Sequence, residues 1–358
     1  MFHEISLSNF FQFLFLFIPV WWSWIGTTFF ATRFYSDDIV HRLLLLLQMG
    51  GAGALAVNIS GAFSTTFSGF ALSYAFMRLI LVIEYVRVFR TIKSSDFANP
   101  LVKRYIIGFS IAAIIWLISA FIPYTEIRFV LWIIGLTIDF ATPISTSKLT
   151  SKVAPHISHL PERMGLFTLI VLGESIVGIV NGMTEQVWNV YSVIEASLGL
   201  CISFSLWWLY FDSTGRLPIQ ILREKGRISL YLIWLYTHFP LVVAITAVGV
   251  GIRRLLSSEQ HSLLDNSDLW LMCGSVSISL ISQSVLHLIS IDRDTHDFTR
   301  RKKFGISRIV SSIIIISIPF LFNNYGIPII IASLITVVCG FQIVFDLKYH
   351  PHHRIFKL

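Results

Sequence analysis

The chain has few charged residues and few cysteines for its length of 358 residues. Charged residues make up 13% of the sequence, and Cys201, Cys273 and Cys339 each lie in an apolar run without a partner at metal-ligand or redox spacing. A soluble globular domain has about 25% charged residues. The shortage of charge therefore excludes an ordinary soluble protein, and the cysteine spacing indicates simple buried or lipid-facing thiols.

The sequence also has none of the short motifs that mark familiar enzymes. It contains no P-loop, no GxSxG or HExxH pattern and no dinucleotide-binding glycine fingerprint. The acidic stretch 292–297 lacks the glycine and the terminal glutamate of a calcium loop, and the histidine-rich stretch 350–353 is short and unconstrained. We therefore expect no enzymatic activity, no cofactor and no bound metal.

Long apolar runs dominate the sequence instead. Hydrophobic residues make up 55% of the chain, and its mean hydropathy is +0.74. A bilayer-spanning helix needs about 20 mostly apolar residues. Because lipid offers no hydrogen-bond partners, a single spanning segment must pair its backbone groups internally, which a helix does. Eleven stretches fit: 8–31, 39–59, 65–91, 103–122, 127–147, 163–183, 189–211, 230–251, 268–290, 306–322 and 325–345. The predicted fold class is an all-α polytopic membrane protein.

The first stretch lacks a basic n-region and a small-residue cleavage site, so we expect it to be a retained span.

Basic residues predict the orientation of these spans. Of the 27 Lys and Arg residues, 22, among them Arg308, fall in the loops and tail of one side, three fall on the other side, and Arg78 and Arg87 lie inside a span. The positive-inside rule puts the basic side, and with it the C-terminus, in the cytoplasm and the N-terminus outside. This predicts a multi-pass protein of the cell inner membrane whose RRKK run at 300–303 contacts anionic lipid. No basic, aromatic-interleaved module is present, so nucleic acid is not an expected partner.

Weak internal sequence similarity indicates two related halves. Trp21-Trp22 and Trp207-Trp208 each close a long span, and a basic-flanked span opens about twenty residues after each first tryptophan. Spans one to five then match spans seven to eleven in order. This predicts a repeat of six-helix units with the first helix absent, over 1–155 (five spans) and 156–345 (six spans), followed by a basic cytoplasmic tail at 346–358. Such symmetry is typical of many transporters. The alternative is chance resemblance between apolar helices that contain tryptophan.

A motif in the sixth span resembles a known family. The stretch ERMGLF followed by LGES resembles the signature of the bacterial low temperature requirement A family, on Glu162, Arg163, Gly165, Gly173, Glu174 and Ser175. The segments Trp21–Phe34, Asp37-Asp38, Arg42–Leu44 and Tyr74–Leu79 resemble the family's N-terminal half more loosely. Members typically begin with an acidic, Phe-rich helix, and we expect this chain to lack that helix. The resemblance implies the architecture and assigns no activity.

Three ionisable residues fall near the middle of predicted spans. Arg78, Asp139 and Glu174 lie 11 to 13 residues into their spans, which at about 1.5 Å per residue places all three near the bilayer midplane. A charge there costs at least about 2.5–3.5 kcal/mol, so such residues are functional candidates by default. If the three are adjacent, Arg78 keeps one carboxylate ionised and the other can exchange a proton. The alternative is that Arg78 only pairs with one carboxylate and holds helices together.

Other polar residues in spans are weaker candidates. Glu195 lies near the outer end of span seven, where it is either a gate charge or a packing residue. His238 in span eight is either a core histidine with satisfied hydrogen bonds or part of a proton relay. Glu84 and Arg87, three residues apart on one helical face, predict an intrahelical ion pair.

These observations predict a secondary transporter or permease with a proton- or ion-linked site at the bilayer midplane, acting on a small solute or on protons. A second hypothesis is a non-transporting cold-growth or stress factor that acts as a scaffold or binds lipid. A third is an intramembrane enzyme acting on lipid, which requires a lateral opening beside Asp139 and Glu174.

Overall fold

The computed structural model describes most of the chain as helices joined by short connections. The described residues are 6–34, 36–93, 96–146, 149, 153–184, 188–213, 217–225, 228–257, 263–290, 298–322 and 325–349, and none of them forms a strand. The stretches 292–297 and 350–353, which bear on the metal prediction, lie outside these residues.

The described residues form twelve helices, of which eleven are long and apolar enough to cross a membrane. The eleven-span, all-α prediction is therefore confirmed. The helices are α1 Leu7–Phe34, α2 Ile39–Asn58, α3 Phe67–Thr91, α4 Asn99–Ser119, α5 Thr125–Ser145, α6 His159–Thr184, α7 Val190–Ser213, α8 Leu217–Lys225, α9 Ile228–Ser257, α10 Asn266–Ile289, α11 Phe298–Leu321 and α12 Pro328–Tyr349. The nine-residue α8 is too short to span and lies in the connection between α7 and α9.

Contacts divide the chain into two compact units. Unit 1 contains Leu7–Leu160 together with Ile221–Ile228, and unit 2 contains Pro161–Gln220 together with Ser229–Leu358. The repeat of six-helix units predicted from the internal sequence similarity stays a prediction, with its division at residue 155. The predicted orientation also stays a prediction. Residues 346–349 of the predicted tail continue α12 as helix.

Unit 1 is built around α3. This helix packs against α1, α2 and α4, and α4 packs against α5. In the most apolar stretch of α3, 67% of the residues are buried, against 28% for α2. The difference makes α3 the central helix of the unit, whereas α2 presents most of its leucine-rich surface outward, as a lipid-facing helix does.

Large aromatic side chains fill the centre of unit 1. Trp116 of α4 stacks on Trp132 of α5 with ring centroids 5.1 Å apart, and Tyr74 of α3 lies 4.4 Å from Trp116. Gly135 allows this contact, because a Cβ there would lie 2.7 Å from the Trp116 indole. The packing places Tyr74, one turn before Arg78, deep between α3, α4 and α5.

In unit 2, α10 packs against α7 and α11. Helix α12 packs against the same two helices. Gln283 of α10 donates a hydrogen bond to the Leu206 carbonyl of α7 at 3.0 Å. An interhelical bond of this kind stabilises helix association where hydrophobic burial from water contributes little.

Candidate functional site

Arg78 and Asp139, two of the three predicted midspan residues, form a buried ion pair in unit 1. Arg78 Nε lies 3.0 Å from Asp139 Oδ2, and the side chains are 1% and 0% exposed. Arg78 is contributed by α3 and Asp139 by α5, so the pair joins two helices that are far apart in the sequence. The structure thus brings Arg78 and Asp139 together, and a solute- or ion-binding role for them stays a prediction.

Tyr74 completes this pair as a third member. Its hydroxyl donates to Asp139 Oδ2 at 2.6 Å and accepts from Arg78 Nε at 3.0 Å and Nη2 at 2.8 Å. Because Tyr74 and Arg78 are four residues apart, both side chains lie on the same face of α3. We call Tyr74, Arg78 and Asp139 the buried triad.

The guanidinium of Arg78 is enclosed by aromatic rings and by the α1 backbone at a glycine. Its carbon lies 4.9 Å from the Tyr74 ring centroid and 5.4 Å from that of Phe109. On the α1 side, a Cβ added at Gly26 would lie 2.7 Å from Arg78 Nη1. Glycine at this position of α1 is what gives the guanidinium room, and cation–π contacts partly replace the water that burial removes.

Glu174, the third predicted midspan residue, has a different setting. It lies on α6 in unit 2, about 15 Å from the C-terminal end of that helix, and its side chain is exposed. No described residue forms a hydrogen bond or an ion pair with its carboxylate. The joining of Glu174 with Arg78 and Asp139 in one cluster stays a prediction.

The backbone of α6 at Glu174 lies directly against α9. A Cβ added at Gly249 of α9 would lie 3.0 Å from the carbonyl carbon of Glu174 and from the nitrogen of Ser175. One turn further along α6, a Cβ at Gly178 would lie 2.5 Å from the Gly249 carbonyl oxygen. Glycines on both helices therefore permit the close approach, a pattern typical of membrane helix pairs.

Comparison with known proteins supports the family resemblance of the sixth span. The family model of the bacterial low temperature requirement A protein, LtrA, matches residues 1–345. The chain belongs to the LtrA family. An uncharacterized protein of Rhizobium meliloti (strain 1021) is 25% identical to this LtrA-family chain over 251 residues, which are 66% of this chain and 59% of the relative. The aligned region thus spans about three fifths of that relative's length. No solved structure matches the chain.

The LtrA signature residues lie along α6. Glu162 and Arg163 are exposed near its start, and the Glu162 carboxylate lies in the first turn, where the positive end of the helix dipole stabilises it. Gly165 faces the ring of Phe211 on α7, which a Cβ would approach to 3.3 Å. Ser175 is fully buried, and its hydroxyl has no hydrogen-bond partner among the described residues. The signature thus combines helix packing with an exposed midspan carboxylate.

The contact between α6 and α9 gives a stability prediction. We expect Gly249→Ala to destabilise the protein by about 1–3 kcal/mol, because the added methyl group meets the α6 backbone and forces the helices apart. Gly173→Ala is the matched control, since nothing lies within 4 Å of a Cβ at that position of α6. Thermal unfolding in detergent measures both. Equal stability of the two variants would contradict the close contact.

The two weaker candidates of unit 2 occupy different environments. His238 is 1% exposed, with its Nδ1 2.7 Å from the Trp234 carbonyl and its Nε2 3.2 Å from the Tyr210 hydroxyl. Both ring nitrogens have partners, which is the arrangement of a satisfied core histidine, and a proton relay through it stays a prediction. Glu195 is half-buried on α7, and its gating role also stays a prediction.

A second buried ion pair lies in unit 2. Arg308 Nη2 of α11 donates to Asp346 Oδ2 of α12 at 2.6 Å, and Gln342 donates to the other Asp346 oxygen at 2.8 Å. From the sequence, Arg308 was assigned to the basic loops. In the structure its side chain is 1% exposed and part of the membrane helix. The position of Arg308 inside the apolar run 306–322 could have predicted this burial. Without Arg308 the basic side still has 21 Lys and Arg residues against three, so the charge asymmetry between the two sides remains.

Proposed function

We propose that this LtrA-family membrane protein is a secondary transporter in which the Glu174 carboxylate exchanges a proton or a small cation. The observation that carries the proposal is a midspan carboxylate that is exposed on its helix and has no counter-ion among the described residues. An ionised carboxylate facing hydrocarbon costs several kcal/mol, so this group must be protonated, hydrated or paired with a ligand. A group whose charge depends in this way on its surroundings is suited to coupled transport.

The buried triad supports a division of roles between the carboxylates. Arg78 is already paired with Asp139 and hydrogen-bonded to Tyr74, so its charge is neutralised within unit 1. In the proposed mechanism the triad holds α3 and α5 together, and Glu174 is the group that changes charge. No catalytic role is assigned to either carboxylate. We place the protein in the inner membrane with its C-terminus in the cytoplasm, as the distribution of basic residues indicates.

The second candidate function is a non-transporting membrane protein that acts as a scaffold or binds lipid. The complete burial of Arg78 and Asp139 favours it, because an enclosed ion pair offers no path to a solute. This hypothesis assigns the triad only to helix packing. It expects Glu174 to be inaccessible or inert in the folded protein.

Chemical labelling of Glu174 in membrane vesicles tests the proposal. A membrane-soluble carbodiimide reacts with protonated carboxyl groups in apolar surroundings, and mass spectrometry of the digested protein locates the adduct. We expect Glu174 to be labelled strongly at acidic pH and weakly at alkaline pH. Asp139, paired and fully buried in the same sample, is the internal reference and should remain unlabelled. An unlabelled Glu174, or labelling that does not change with pH, would overturn the exchange role.

A further inference from the structure

A cavity of about 540 Å³ lies at one end of unit 1, away from the buried triad. It is formed where α1 and α3 end and α2 begins. Phe30, Phe34, Val88 and Ile92 form its apolar wall. The polar residues of its lining are Ser36, Asp38, Glu84, Arg87, Arg90 and Thr91. A cavity of this size, apolar on one side and charged on the other, is suited to an amphipathic ligand.

The acidic residues of the lining are already engaged. Glu84 contacts His41 Nδ1 at 2.7 Å through one oxygen and accepts from Arg87 Nη1 at 3.1 Å through the other. Arg87 Nη2 donates in turn to both oxygens of Asp38 at 2.8 Å. The predicted Glu84–Arg87 pair is therefore confirmed, and it belongs to a chain of four charged or ionisable side chains that links α2 to α3.

Asp38 also caps α2. It accepts a hydrogen bond from the His41 backbone N–H at 2.8 Å and another from the Ser36 hydroxyl at 2.8 Å. The His41 N–H, the Ser36 hydroxyl and the Arg87 guanidinium hold the pKa of the Asp38 carboxyl well below its usual range. Asp38 thus stays ionised, and its oxygens are occupied by protein donors rather than by a ligand.

Arg90 is the charged residue of the lining that the acidic residues do not bind. It lines the cavity, its side chain is exposed, and its guanidinium forms no hydrogen bond or ion pair with any described residue. The Lys93 ammonium, three residues further along, is exposed and equally without such a partner. The Asp38 and Glu84 carboxylates share Arg87 and are further engaged by Ser36 and His41, so Arg90, with Lys93 nearby, is the cation at the rim that remains available to pair with an anion.

We propose that this cavity binds an anionic phospholipid, with the headgroup phosphate at Arg90 and an acyl chain against Phe34, Val88 and Ile92. The ends of spanning helices lie at the depth of the lipid headgroups, and basic pockets between such helices recognise anionic headgroups. The predicted orientation puts the site in the cytoplasmic leaflet. A free phosphate shares the contact with Arg90 and gains nothing from the apolar wall.

The test measures lipid binding in nanodiscs of phosphatidylcholine, with and without phosphatidylglycerol. Native mass spectrometry counts the bound phosphatidylglycerol molecules, and the shift in unfolding temperature reports the same binding. Arg90→Ala should weaken the tightest site about fivefold, since a basic residue near the surface contributes about 1 kcal/mol to anionic lipid binding. Arg90→Glu should have a larger effect. Lys103→Glu, an exposed cation at the start of α4, is the matched control and should leave this site unchanged.

Two further arms identify the ligand. Val88→Trp fills the apolar wall and should reduce phosphatidylglycerol binding while Arg90 is intact. Soluble glycerol phosphate should neither stabilise the protein nor displace the lipid. Equal losses in Arg90→Glu and Lys103→Glu would overturn the proposal, as would tight binding of glycerol phosphate alone. Because the readout is lipid occupancy, its outcome is independent of whether Glu174 supports transport.

Discussion

Glu174→Gln is expected to abolish protein-dependent proton movement across proteoliposomes while the protein still inserts and folds. The substitution keeps the size of the side chain and removes its ability to bind and release a proton. The exposed position on α6, without a described partner, means that no ion pair is broken. The measurement is the response of an enclosed pH-sensitive dye after an imposed pH step, compared with wild-type protein at equal reconstitution.

Glu126→Gln is the matched control for this experiment. Glu126 is an exposed glutamate in the first turn of α5, so the same chemical change is made at the end of a span rather than in its middle. We expect normal proton movement in this variant. Wild-type rates in Glu174→Gln would remove Glu174 from the mechanism, and equal losses in both variants would indicate a general effect of lowered charge.

Asp139→Asn is expected to destabilise the protein by about 3–5 kcal/mol, because it leaves the Arg78 guanidinium buried without a counter-charge. The asparagine is close in size to the aspartate, so packing around it changes little. Thermal unfolding in detergent and the yield of folded protein measure the loss. Tyr74→Phe should cost less, about 1.5–3 kcal/mol, since it removes hydrogen bonds to charged groups and leaves the ion pair in place.

The double variant Arg78→Met with Asp139→Leu separates packing from function. It replaces the buried pair by apolar side chains, which in other proteins is often neutral or stabilising. We expect it to recover most of the stability lost in Asp139→Asn. If it also retains proton movement, the triad is a packing element, as the proposed division of roles requires. A stable double variant without proton movement would assign the triad to the transport site and contradict that division.

The sequence alone determined the membrane class and the number of spans. Spanning helices satisfy their backbone hydrogen bonds locally, and their length is set by the bilayer, so apolar runs identify them without tertiary information. Depth along a helix is equally local, which is why Arg78 and Asp139 were predicted to lie close enough to pair. The four-residue spacing of Tyr74 and Arg78 was also visible in the sequence, but its meaning was not.

Only the tertiary structure decided which side chains meet across helices. Tyr74 bridges Arg78 to Asp139, and Gly26 makes room for the guanidinium, because α1, α3 and α5 are packed around one point. The same holds for the chain from His41 to Asp38 and for the cavity beside Arg90. Helix rotation and neighbour order depend on the packing of many residues distant in sequence, and no local pattern encodes them. Glu174 therefore began as an unexplained charge at a known depth, and the structure added its exposed position on α6 and its close contact with Gly249.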